Sequence, residues 1–131
     1  MQPLNARTTS AMSKVRQERT TPEERVATVL RELGKAYRRN VRNLPGKPDF
    51  ANRSKGWVVQ VHGCFWHHHD CKRGTVPVNN REEWLVKFAA NRVRDQRVEA
   101  DLRGMGLEVV TVWECETRHH VALTERLVNL R

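Results

Sequence analysis

The chain has 131 residues, which leaves room for one domain around a single core and no more. Its formal net charge of +9 favours a polyanionic partner, because each Lys or Arg that meets a phosphate releases condensed counterions. No apolar stretch is long enough for a membrane span and no signal-peptide core follows the N-terminus, so a cytoplasmic, nucleoid-associated protein is expected and a membrane protein is not.

Residues 1–20 are polar and basic and read as a flexible N-terminal arm, with a short helix around Met12 to Arg16. Residues 21–131 read as the single folded domain. Thr21-Pro22-Glu23-Glu24 is a helix start, with Thr at the N-cap, Pro in the first turn and acids beside the positive end of the helix dipole. Val26, Val29, Leu30 and Leu33 carry the helical apolar spacing, and Gly34 ends it. Tyr37 to Val41 suggests a basic strand, and Leu44-Pro45-Gly46-Lys47-Pro48 a turn. Asp49-Phe50-Ala51 opens a short strand, Asn52 to Gly56 turns the chain, and Trp57 to Val61 is the clearest buried strand. Arg73 to Asn80 is loop. Glu82 to Gly104 predicts a long charged helix carrying Trp84, Leu85, Phe88, Val98 and Leu102, and Gly106 breaks it. Leu107 to Val112 is a second β-branched strand leading into Trp113-Glu114-Cys115, and His120 to Leu130 a closing helix. The alternation predicts an α/β fold, a mixed sheet covered by helices.

Between the buried strand and the long helix, residues 62–71 hold four of the six histidines, two of the three cysteines and two large aromatics. An odd cysteine count in a reducing compartment argues against disulfides and for metal ligands or buried thiols. Cys64, His69 and Cys71 fall within eight residues of one another, and Cys115 follows a strand that brings it near in space. Together they make a Cys₃His set suited to tetrahedral, closed, structural Zn²⁺. The plainer reading leaves Cys64 and Cys115 as small buried hydrophobes and the histidines solvated.

A second pattern points to hydrolysis. Pro48-Asp49 is followed, at the end of the next strand, by Gln60-Val61-His62. This spacing resembles the PD-(D/E)XK nuclease signature, with Gln where the second acid often stands and His in the lysine position. Such chemistry needs a carboxylate at a strand end to hold Mg²⁺ against the scissile phosphate, and a group that orients or deprotonates water.

Four blocks narrow the resemblance: Leu44-Pro45-Gly46-Lys47-Pro48-Asp49, Val61-His62-Gly63-Cys64-Phe65-Trp66-His67, Asn91 to Val98, and Val112-Trp113-Glu114-Cys115. In this order they resemble the very-short-patch-repair (Vsr) DNA mismatch endonucleases over most of the chain. The resemblance implies a restriction-endonuclease-like fold and nicking of one strand beside a T:G mismatch left by deamination of 5-methylcytosine. It implies two Mg²⁺ ions, held by Asp49 and the backbone carbonyl of Val61. Glu23 and His62 match residues that hold metal-bound waters, and His67 matches a general base, a task that suits a neutral imidazole. Cys64, His69, Cys71 and Cys115 match the structural zinc ligands.

Phe65, Trp66 and Trp84 match an aromatic wedge, Met12 a residue entering from the minor groove, and Lys87 and Asn91 contacts to the mismatch. Rings pushed between base steps cost least where pairing is already imperfect. Arg94, Arg97 and the group Arg38, Arg39 and Arg42 are candidate phosphate contacts. Implied partners are double-stranded DNA carrying a T:G mismatch and mismatch-repair proteins, with the chain itself a monomer. Gln60 departs from the apolar residue common at its position, either as an added group beside the metal or as a polar strand residue. Two further readings stand beside the nickase: a related nuclease with another DNA target, in phage defence or restriction, and a zinc-stabilised DNA-binding module without catalysis.

Overall fold

The computed structural model describes residues 20–64 and 76–131. Its first helix, α1 (Thr21–Glu32), is started by a capping box one residue earlier than the sequence suggests. Thr20, not Thr21, is the N-cap, with extended backbone. Its Oγ1 accepts the Glu23 N–H at 3.5 Å while the Glu23 carboxylate accepts the Thr20 hydroxyl at 3.0 Å. This reciprocity requires the acid three residues after the cap, and only Thr20 stands at that distance from Glu23. The helix stops because Gly34 takes a left-handed conformation, φ +70°, which lets the Lys35 N–H reach back to the Leu30 carbonyl at 2.9 Å.

Four strands follow in the order β1 (Arg38–Arg39), β2 (Phe50–Asn52), β3 (Trp57–His62) and β4 (Glu108–Trp113). Neighbours β1–β2 and β2–β3 are antiparallel, and β3–β4 is parallel. The parallel pair needs a long crossover, supplied by α2 (Arg81–Gly104). After β4 come a 3₁₀ helix (Glu114–Arg118), which holds Cys115, and α3 (His120–Leu127). The first strand is much shorter than the predicted Tyr37–Val41, because Asn40 turns to φ +50° and ends the pairing. The closing helix stops at Leu127, short of the predicted Leu130.

Side-chain alternation along β3 divides the core in two. Trp57 and Val59 face α1 and α3, packing with Val26, Leu30, Phe50, Val112, Leu123 and Leu127. Val58 faces the other way, with Leu44, Ala51, Leu102, Leu107 and Val109. With both faces covered, β3 reads as a continuous apolar run instead of an alternating one. The indole N–H of Trp57 donates to the Arg131 carbonyl at 2.9 Å, fastening the chain end to the sheet.

Only part of α2 belongs to this core. Leu102 and Phe88 are buried, and Val98 packs against the second cluster. Val86 and Val93 are largely exposed, and Leu85 is 38% exposed. No helix among the described residues is long and apolar enough to cross a membrane.

Candidate active site and nucleic-acid interface

Asp49 ends the loop that begins at Leu44 and immediately precedes β2. That loop is pinned by a close approach: Gly46, at φ +71°, lies so near α2 that a β-carbon there would fall 2.3 Å from Val98 Cγ1. Glycine is therefore required twice over, for the left-handed backbone and for the space. The loop delivers Asp49 to the β2–β3 junction, where its Oδ2 accepts the Val61 N–H at 2.6 Å. Continuing the β2–β3 register by one residue sets Asp49 opposite Gln60.

The carboxyl of Asp49 is half-buried, and its pKa is raised from 3.8 to about 7. Burial is the main cause, because an ion loses hydration there; the Val61 N–H opposes it, the charge of Glu23 adds to it, and Arg39 works against it. Two carboxyls thus share a poorly hydrated corner. A hard divalent cation relieves such a pair, since oxygen donors of this kind are what Mg²⁺ takes. The residues fit the implied metal: Asp49 supplies the carboxylate, the adjacent β3 backbone supplies carbonyls, and Glu23 supplies a second negative charge.

Glu23 is 4% exposed, and its position in the capping box fixes where its charge points. The helix-start reading of this residue is met by the capping box, and the same carboxylate acts on the charge of Asp49. His62, next after Val61, pairs with Trp113 across β3–β4, and its ring meets the Trp113 ring edge-on at 5.2 Å. Asp49 and Val61 thus meet directly, Glu23 lies close enough for its charge to act on the Asp49 carboxyl, and His62 is next along the strand. His67 lies outside the described residues.

Of the predicted zinc ligands, Cys64 and Cys115 are described. Cys64 is fully buried, and its Sγ accepts the Cys115 N–H at 3.4 Å. The two cysteines, distant in sequence, come together because β3 and β4 are parallel neighbours and each Cys follows its strand. His69 and Cys71 lie outside the described residues, and among the described residues no group of three metal-ligating side chains occurs.

On α2, Trp84 is half-buried beside Phe88, ring centroids 5.6 Å apart, and the Lys87 ammonium lies 5.3 Å from the Trp84 ring. Lys87 and Asn91, four apart, share one side of the helix. Arg94 and Arg97 are exposed farther along. Met12, Phe65 and Trp66 lie outside the described residues. Arg39 departs from its expected role as a phosphate contact: it pairs with Glu24 and lies 5.1 Å over the Phe50 ring, bracing β1 against α1. Gln60 is buried, and its Oε1 accepts the Thr111 hydroxyl at 3.5 Å across β3–β4. Glu24 escaped the sequence reading as the partner of Arg39; an acid in a first helical turn gives no sign of which strand it will meet.

A mixed α/β sheet with a poorly hydrated acid at the start of β2, a second acid in the first turn of α1, and a strongly basic chain fit a class: a phosphodiester-cleaving enzyme acting on nucleic acid. Comparison with known proteins makes the assignment particular. The family described as DNA mismatch endonuclease Vsr matches residues 4–73. The type II nicking enzyme V.XorIIP of Xanthomonas oryzae pv. oryzae is 43% identical over 119 residues, 91% of this chain and 88% of the relative. The type II nicking enzyme V.NmeAIP of Neisseria meningitidis is 39% identical over 91% of this chain and 85% of its own length. The DNA mismatch endonuclease Vsr of Escherichia coli is 40% identical over 112 residues, 86% of this chain and 72% of that protein. The chain belongs to the Vsr family of DNA mismatch endonucleases.

Proposed function

We propose that this DNA endonuclease nicks one strand of a duplex beside a T:G mismatch, with Mg²⁺ at Asp49 and Zn²⁺ as a structural brace, on a restriction-endonuclease-like fold. The observation that carries this reading is the placement of Asp49: a half-buried carboxyl fixed by the Val61 N–H where β2 begins beside the end of β3, within range of the Glu23 charge. Bound there, Mg²⁺ supplies charge neutralisation at the scissile phosphate and an acidified water. Asp49 and the Val61 carbonyl hold the cation. Glu23 and His62 would orient water at the site, and His67 would serve as the general base. Cys64, His69, Cys71 and Cys115 hold the zinc, and the contact between Cys64 and Cys115 supports this set. Phe65, Trp66 and Trp84 form the wedge that tests pairing, with Met12 on the opposite groove and Lys87 and Asn91 at the mismatched bases. Mismatch-repair proteins are the partners that the resulting nick invites.

Nicking of matched, T:G and 5-methylcytosine duplexes, with and without Mg²⁺, tests the reading. Cutting confined to one strand of the T:G duplex and lost on Asp49→Ala, with binding retained, is expected. Preference for a paired target would favour a restriction role, and no cutting on any duplex would leave a DNA-binding module. Trp66→Ala should reduce discrimination more than general affinity, and zinc analysis of the purified chain should give one ion per chain.

A further inference from the structure

The edge strand β1 and the turns beside it enclose a groove of about 990 Å³ whose lining includes Arg38, Arg39, Arg42 and Arg53. None of the described residues that line it is acidic. Arg39 pairs with Glu24 and lies over Phe50, and Arg38, Arg42 and Arg53 are exposed to solvent. Like charges gathered without acids in the same groove repel one another, and a polyanion turns that repulsion into attraction.

The groove is held in shape. Asn52 donates its amide to the Ala36 carbonyl at 2.9 Å, and its Oδ1 accepts the Ser54 hydroxyl at 2.9 Å and the Lys55 N–H at 3.0 Å. The segment that lines it is also hydrogen-bonded to the one that carries Asp49. The Asn40 N–H donates to the Asp49 carbonyl at 3.0 Å, and the Val41 N–H to the Pro48 carbonyl at 3.1 Å. Arg38 pairs with Ala51, two residues from Asp49, and therefore lies on the same face of the sheet. A strand whose scissile phosphate rests at Asp49 and which runs on along this face meets guanidinium groups, which bind phosphate in bidentate fashion.

The geometry points to a phosphate-binding groove on the β1 edge, in which Arg38, Arg42 and Arg53 hold the DNA backbone flanking the cut. This rests on the reading of Asp49 as the cleavage site. The groove adds affinity without reading sequence, since phosphate contacts position and do not specify.

The test measures binding of the full chain to a labelled T:G duplex in a salt series. Arg42→Gln/Arg53→Gln should lower the slope of log affinity against log salt by about 1.8, at roughly 0.9 per lost phosphate contact, while Arg42→Lys/Arg53→Lys keeps most of it. A control pair of equal charge change, Arg25→Gln/Arg131→Gln, should leave the slope near that of the wild type. Shortening the duplex on one side of the cut should bring the wild type down to the Gln pair and leave the pair unmoved. The same slope in the groove pair as in the wild type, or an equal fall in the control pair, overturns the groove. In that case the arginines only blunt an exposed sheet edge, and the Gln pair self-associates instead. A wild type that binds duplexes yet never nicks them fails the cleavage reading, a result separate from either slope.

Discussion

Asp49→Asn is the most informative single change in the protein. Asparagine keeps the shape and an oxygen to accept the Val61 N–H, but it has no charge to bury. In the folded chain the carboxyl titrates at about 7, against 3.8 for the ordinary group. Below both values the acid is protonated folded or unfolded and contributes nothing. Between them the folded state keeps a proton that the unfolded state has released, so metal-free stability falls as pH rises and levels off above about 7. At about 1.4 kcal/mol per pH unit the loss is at most about 4 kcal/mol. Asp49 retains some contact with water, which screens the charge and brings the expected figure to about 1–3 kcal/mol. The Asn variant escapes that loss. In EDTA at pH 8 it should melt higher than the wild type, by about 4 °C per kcal/mol for a chain of this size. Near pH 4 the two should melt together, and the variant should not nick. Parallel melting curves for the two proteins from pH 4 to 8, or a variant less stable at pH 8, would refute the placement of a strained carboxyl in this corner.

Divalent binding reports the same proton from the other side: below about pH 7 Mg²⁺ affinity should rise close to tenfold per pH unit and then level, with about one proton released per ion in calorimetry at pH 6. Glu23→Gln keeps the capping box, because Gln serves at that position, but removes a neighbouring negative charge. Its metal-free stability should therefore stop falling at a lower pH than that of the wild type. Gly46→Ala forces a left-handed alanine against Val98 and should cost about 2–4 kcal/mol, read by denaturant titration; a near-neutral result would mean the loop does not rest on α2. Cys115→Ser should lower bound zinc and the melting temperature together, and full zinc retention would remove Cys115 from the ligand set.

Local features survive into the fold because short-range physics decides them. The helical run of α1, the left-handed stop at Gly34, the apolar run of β3 and the acid after Pro48 each needed only their neighbours, whereas the N-cap fell one residue earlier than read, at Thr20. Family blocks carried the family assignment as well, since rare side chains at fixed spacing keep their meaning without coordinates. What the sequence left open were contacts between segments far apart in the chain. Which strand Arg39 would lie on was legible, but its commitment to Glu24 was not, because that pairing exists only once α1 packs on the sheet. The meeting of Cys64 with Cys115 depends on the parallel register of β3 and β4. The groove of arginines depends on turns at both ends of the β1–β2 pair closing around the same space. Above all, composition identifies Asp49 as an acid, but only the tertiary environment strips its water and sets Glu23 beside it, and those two effects make its charge costly enough to favour a cation.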